Sequence, residues 1–194
     1  MKRTIINLIS IALLTGSAFA QETPKGWFKA GSKPGDYAMT VDRETVHGGK
    51  ASARVASTVA APGGFGTLMQ TFKADSFLGK RVRFTGYVRS EDVADWAGLW
   101  MRVDGPRGEP LAFDNMQKRA IKGTGDWTKY EIVLDVPQSA AQIAFGLLLT
   151  GKGSVWMDDL GFEAVGTDVP TTGESMANES NKPTYVNLDF EDGL

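Results

Sequence analysis

Beyond residue 20 the chain has almost no helical periodicity. Its apolar residues come in short alternating or continuous runs, cut repeatedly by Gly, Pro, Asp and Lys. A chain built this way cannot offer the long apolar stripes that a helical bundle or a helix-covered parallel sheet needs. The runs are Tyr37–Val41, Ala51–Ser57, Gly66–Lys73, Arg81–Arg89, Gly98–Val103, Leu111–Asp114, Thr128–Val136, Gln142–Leu149, Ser154–Glu163 and Val186–Phe190. Many are rich in β-branched and aromatic residues, as strands are. Lys152-Gly153 before Ser154 predicts a tight hairpin turn. The expected fold is all-β, an antiparallel β-sandwich.

The ends of the chain differ from its middle. Lys2 and Arg3, the apolar run Ile5–Leu14 and the small-x-small site Ala18-Phe-Ala20 read as a secretory signal peptide over 1–20. No later run is apolar enough to span a bilayer, so the mature chain is expected in the periplasm or outside the cell, free of membrane. There is no cysteine, so stability must come from the core and not from disulfides. Losing Lys2 and Arg3 leaves 19 basic against 23 acidic residues, a net charge of −4. A mildly acidic chain without a basic stretch is a poor nucleic-acid binder. Residues 21–165 are expected to form the sandwich. Residues 166–183, rich in Thr, Gly, Ser, Asn and Pro, read as a flexible linker. The alternation in Val186-Asn-Leu-Asp-Phe190 makes 184–194 a further strand. It either completes the same sandwich or docks on another molecule, which would give a strand-exchanged dimer.

Several segments, in order, resemble the jelly-roll carbohydrate-binding modules of the galactose-binding-like superfamily. They are Thr45-Val-His-Gly-Gly-Lys-Ala-Ser-Ala53, Gly79-Lys-Arg-Val-Arg-Phe-Thr-Gly-Tyr-Val-Arg89, Gly125-Asp-Trp-Thr-Lys-Tyr-Glu-Ile-Val-Leu-Asp-Val-Pro137 and Gly153-Ser-Val-Trp-Met-Asp-Asp-Leu-Gly-Phe-Glu163. The resemblance covers about residues 26–163 and extends to bacterial domains attached to regulators or hydrolases. It implies a jelly roll whose first strand, Asn187-Leu-Asp-Phe-Glu191, is displaced to the C-terminus beside Ser154–Glu163. It also implies a structural calcium held by Asp158 or Asp159, by Asp189 or Glu191, and by carbonyls of the Gly49-Lys50 turn. The other reading of the acid pair is that one faces solvent and one pairs with a backbone group or a lysine. His47, the only histidine, is expected to hydrogen-bond locally in its glycine-rich turn.

The expected binding surface is a sheet face carrying Trp96, Trp100, Arg102 and Tyr87, with Asp114, Asn115 and Gln117 on the next segment. Trp100 and Arg102 share a side of one strand, and Leu99, Met101 and Val103 point the other way into the core. Aromatic rings stack on sugar C–H faces, and planar polar groups fork hydroxyls. Each ring could equally pack under a loop, with the arginines paired to Asp104 or Asp114. Trp27, Trp127 and Trp156 read as structural. With no cysteine and one histidine, zinc sites and nucleophilic triads lose their residues. Asp95, Asp104, Glu109 and Asp114 are too loosely placed to predict a glycosidase pair. The expected function is non-catalytic binding of a carbohydrate or glycan-like ligand. The alternatives are a periplasmic protein-interaction or assembly domain and, third, a weak hydrolase.

Overall fold

A computed structural model describes residues 22–176 of the chain. The expected signal peptide over 1–20, the strand over 184–194 and the acids Asp189 and Glu191 lie outside these residues. No helix among the described residues is long and apolar enough to cross a membrane.

The described chain is an antiparallel β-sandwich whose two sheets share one long strand. The strands are β1 (Phe28–Gly31), β2 (Tyr37–Asp42), β3 (Ser52–Ser57), β4 (Phe65–Lys73), β5 (Lys80–Asp104), β6 (Pro110–Asp114), β7 (Ile121–Val136), β8 (Gln142–Thr150), β9 (Ser154–Val165) and β10 (Glu174–Ser175). The runs Arg81–Arg89 and Gly98–Val103 are therefore one strand, and the short edge strand β1 was not expected. The first half of β5 pairs with β7 and β9, and β9 continues to β3 and β2. The second half pairs with β8 and β6, and β8 continues to β4 and β1.

Side alternation explains how one strand serves both sheets. Val82, Phe84 and Val88 are buried in the first half, and Leu99, Met101 and Val103 in the second. The inward side thus switches from even to odd positions. The register shifts between Val88 and Ser90, Ser90 and Val93, and Val93 and Ala97, and Asp92 takes a positive φ of 50°. Bulges add residues that the partner strand does not match, which bends the strand and changes which side faces in. Around this bend the core gathers Phe84, Leu68, Ile132, Leu134, Phe145, Leu147 and Leu149. Phe162 stacks on Phe84 at 4.7 Å between ring centroids.

One expectation about the C-terminal part changes. Along Ser154–Met157, β9 pairs with β3, through pairs such as Val55 with Val155. Part of the expected linker is docked. Thr172 N–H donates to the Val133 carbonyl at 2.9 Å, Met176 N–H to the Leu111 carbonyl at 2.8 Å, and β10 pairs with β6. Its composition is that of a loop, yet its backbone groups extend the sheet through β6.

The outer face of the β2–β3–β9–β5–β7 sheet is tied up in side-chain pairs. Arg83 bridges Glu131 and Glu163, and Arg81 forks Asp135. Trp156 is buried, donates its indole N–H to Asp42 at 2.8 Å and lies under Arg54. Burial pushes the Asp42 carboxyl up, but N–H donors from Thr45, Trp156 and Glu44, with Arg54 nearby, outweigh it and hold it below the usual range. The Arg81 hydrogen bond holds Asp135 down likewise. A carboxyl whose folded value is depressed stabilises the fold above its unfolded value, about 3.9, and loses that contribution as pH falls through the folded value. Thermal melts should therefore be level near neutrality and fall steeply below about pH 4. Asp42→Asn should flatten that fall; an unchanged slope would show that Asp42 does not contribute to it.

Candidate functional site

The opposite outer face, on the β1–β4–β8–β5–β6 sheet, is a cleft. It encloses about 410 Å³, within the range of small-ligand sites. Trp100 and Leu148 lie buried in its floor, with half-buried Met69 beside them, and Trp96 and Phe113 pack against this group. Phe65, 37% exposed, stands at the rim. Arg102, Asn115 and Thr150 bring polar groups to the lining.

Local structure sets each of these side chains. On β5, after its bulges, Trp96, Trp100 and Arg102 fall on the outward side. The Trp100 indole N–H donates to the Thr67 hydroxyl at 2.7 Å, and that hydroxyl donates to the Leu147 carbonyl at 2.9 Å. Trp100 is 7% exposed, so it forms the floor of the cleft and not an open stacking platform. Trp96 and Phe113 keep more of their rings accessible. Arg102 donates from Nε and Nη2 to both oxygens of buried Asp104, at 2.7 and 3.0 Å, which fixes its planar head at the cleft. Asn115 Oδ1 accepts the Gln117 N–H at 3.1 Å, which turns the amide N–H₂ outward. The Asn115–Met116 bend rests on Gly98, where a Cβ would come within 3.0 Å of both the Asn115 carbonyl and the Met116 Cβ. Glycine at 98 lets the bend approach β5 and carry Asn115 to the cleft.

The expected site residues divide. Trp96, Trp100, Arg102 and Asn115 come together in the cleft. Tyr87 does not join them. It precedes the bulges, so its outward side belongs to the other sheet, where it stacks on His47 at 3.7 Å between centroids. Asp114 and Gln117 line a neighbouring polar pocket that shares Phe113 and Asn115 with the cleft. Asp114 is buried and structural, accepting from Arg119, from Met116 N–H and from the Thr172 hydroxyl. Sequence reasoning missed Phe65, Met69, Phe113, Leu148 and Thr150. The available signal was Ile143-Ala-Phe-Gly-Leu-Leu-Leu149, buried at every position. An antiparallel strand without polar alternation is covered on both faces, so something had to lie over its outer side.

The acid pair of β9 sits on the other face. Asp158 accepts the N–H groups of His47 and Gly48 at 2.9 and 3.1 Å, and that of Asp159 on its second oxygen at 2.9 Å. Asp159 bonds His47 Nδ1 at 2.6 Å. Asp158 is thus held by N–H donors, as a pairing carboxylate is, and the His47 ring reaches across to β9 and β5 and not to its own turn. No group of three candidate metal ligands occurs among the described residues. Asp189 and Glu191, the other acids of the expected calcium set, lie outside the described residues. Trp127 packs edge-on against His47, and Trp27 edge-on against Phe145.

No protein-family model matches the sequence. A curated protein of Bacillus subtilis, described as an uncharacterized HTH-type transcriptional regulator, YbfP, is 46% identical over 179 residues. The match takes in 91% of this chain, which spans 60% of that relative's length. Among solved structures, the C-terminal family 22 carbohydrate-binding module of Clostridium thermocellum Xyn10B is similar with a TM-score of 0.55. It is 13% identical, over 75% of this chain and 90% of the module. The CBM22-1 xylan-binding domain of Paenibacillus barcinonensis Xyn10C gives a TM-score of 0.52 at 16% identity, over 74% of this chain and 88% of that domain. Together with the shared-strand sandwich, these similarities establish the fold as a jelly roll of the carbohydrate-binding-module type.

Proposed function

We propose that the chain is a non-catalytic binding domain whose cleft takes a glycan. The observation that carries this reading is the contrast between the two outer faces. On one, the aromatics are covered or stacked on their own neighbours. On the other, Trp96 and Phe113 flank an open cleft beside a fixed guanidinium and a primary amide. Accessible rings with a few placed polar groups suit a sugar, whose C–H faces pack on aromatics while its oxygens take N–H donors. The fold shared with xylan-binding domains supports the ligand class by analogy.

A glycan-array screen of the purified chain tests this, followed by titration of any hit. Trp96→Ala should weaken binding about tenfold, the loss of one stacked ring. Tyr87→Ala, on the far face, should leave affinity within about twofold. A blank array, or a loss confined to Tyr87→Ala, would overturn the assignment.

The similarity to a transcriptional regulator favours a second use of the same cleft. A 179-residue match must include most of the sandwich, and the described residues contain no α-helix with which to build a helix-turn-helix. The shared part would then sense a soluble saccharide and not attach to a polymer. Binding of short oligosaccharides as tight as binding of the polymer would favour sensing.

A further inference from the structure

We infer that the cleft selects glycans bearing carboxylates, such as uronic-acid chains, over neutral ones; this deepens the glycan reading and rests on it. The argument is the donor and acceptor inventory of the lining. A neutral sugar hydroxyl both donates and accepts, so a cleft for neutral sugars gains from strong acceptors such as carboxylates for the hydroxyl hydrogens. No Asp or Glu side chain lines this one.

The groups that do reach the cleft are mainly donors. Arg102 spends Nε and Nη2 on Asp104, and Nη1 has no protein partner among the described residues. Asn115 Oδ1 already accepts the Gln117 N–H and keeps one lone pair, while both N–H donors of the amide stay open. The Thr67 hydroxyl is committed to Trp100 and Leu147. Thr150 supplies one hydroxyl that can act either way. A guanidinium edge and an amide N–H₂ beside apolar walls are matched by a group that only accepts. A carboxylate on a pyranose ring is such a group, and its hydrogen bonds to a cation are charge-assisted.

The nearby carboxylates are held off the cleft. Asp104 is 5% exposed and forked by Arg102, and Asp114 is 6% exposed and tied to Arg119. The Arg102 side chain is 44% exposed, so the held guanidinium is already partly solvated and its free edge is open to a ligand. Arginine at this position matters beyond its charge. A lysine ammonium could not fork Asp104 and present a second planar edge at once.

The test is calorimetric titration of the purified chain with oligogalacturonate, oligoalginate and oligoglucuronate, each beside its carboxyl-reduced neutral counterpart. At least one acidic oligomer should bind, with its reduced partner about tenfold or more weaker. Arg102→Gln should shrink that ratio to about threefold or less while stacking affinity persists. Equal or tighter binding of the neutral forms would overturn the carboxylate preference and leave the glycan reading standing. Binding of neither form of any glycan would overturn both. Because Arg102→Gln leaves Asp104 buried without its partner, the comparison of acidic and reduced ligands on the unaltered chain decides the matter even if the variant fails to fold.

Discussion

Asp114→Ala is expected to cost about 3 kcal/mol of stability, the upper end for losing hydrogen bonds to a charged group. For a domain of this length that is a fall in melting temperature of about 6–12 °C. Asp114 ties three pieces of chain together. It accepts from Arg119 Nη2 at 2.7 Å, from the Met116 backbone at 2.8 Å and from the Thr172 hydroxyl. The Val133 N–H in turn donates to that Thr172 hydroxyl at 2.8 Å, so the β6–β7 edge and the docked segment share one network. Removing the carboxylate leaves the Met116 N–H without its acceptor, leaves Arg119 only the Glu131 carbonyl, and loosens Thr172. Hydrogen exchange should show the Thr172 and Met176 amides losing protection along with global stability. A loss below about 1 kcal/mol, with those amides still protected, would mean the network does not hold the segment.

Trp100→Ala should be at least as costly, about 3–5 kcal/mol, as for other buried tryptophans cut to alanine. The indole is nearly covered, packs with Ala144 and Leu148, and is bonded to Thr67. Gly146 lies opposite Trp100 in the ladder, and a Cβ there would run into the backbone of Leu68 and Met69. The close approach of β4 and β8 therefore depends on glycine beneath the cleft floor. Trp100→Phe should retain most of the packing and lose the hydrogen bond, at about 1 kcal/mol for that bond. Chemical denaturation of the two variants separates the contributions. If Trp100→Ala were as stable as the parent chain, the indole would not be part of the floor. Loss of binding in Trp100→Ala alone would not locate the site, because the cleft would collapse with its floor.

The strand pattern was largely legible because alternation and turn residues record which elements form. Val82, Phe84 and Val88, and separately Leu99, Met101 and Val103, announce their inward sides by spacing alone. The segment between them does not. Ser90 to Ala97 holds the shifts that reverse the inward side, and neither the number nor the position of bulges follows from residue type there. That is why Tyr87 was grouped with Trp100 although the fold places them on opposite faces. The cleft was half legible: two tryptophans and an arginine on one strand stood out, but Phe65, Met69 and Phe113 come from other strands and meet only through pairing. Thr172 was hidden for a different reason. A Thr-Gly-Ser-rich stretch reads as loop whether or not its backbone finds a sheet edge, and the edge is supplied by β6 and β7.

The central claim, that the ligand enters the cleft on the β1–β4–β8–β5–β6 face, is tested most directly by nuclear magnetic resonance of the five tryptophan indole N–H groups during glycan titration. The rings report from separate places. Trp96 and Trp100 line the cleft, Trp127 and Trp156 belong to the opposite face, and Trp27 packs on Phe145. The account predicts that Trp96 shifts most, Trp100 less, and Trp127 and Trp156 not at all. Shifts centred on Trp127 or Trp156, with Trp96 unmoved, would contradict it and place binding on the His47–Tyr87 face.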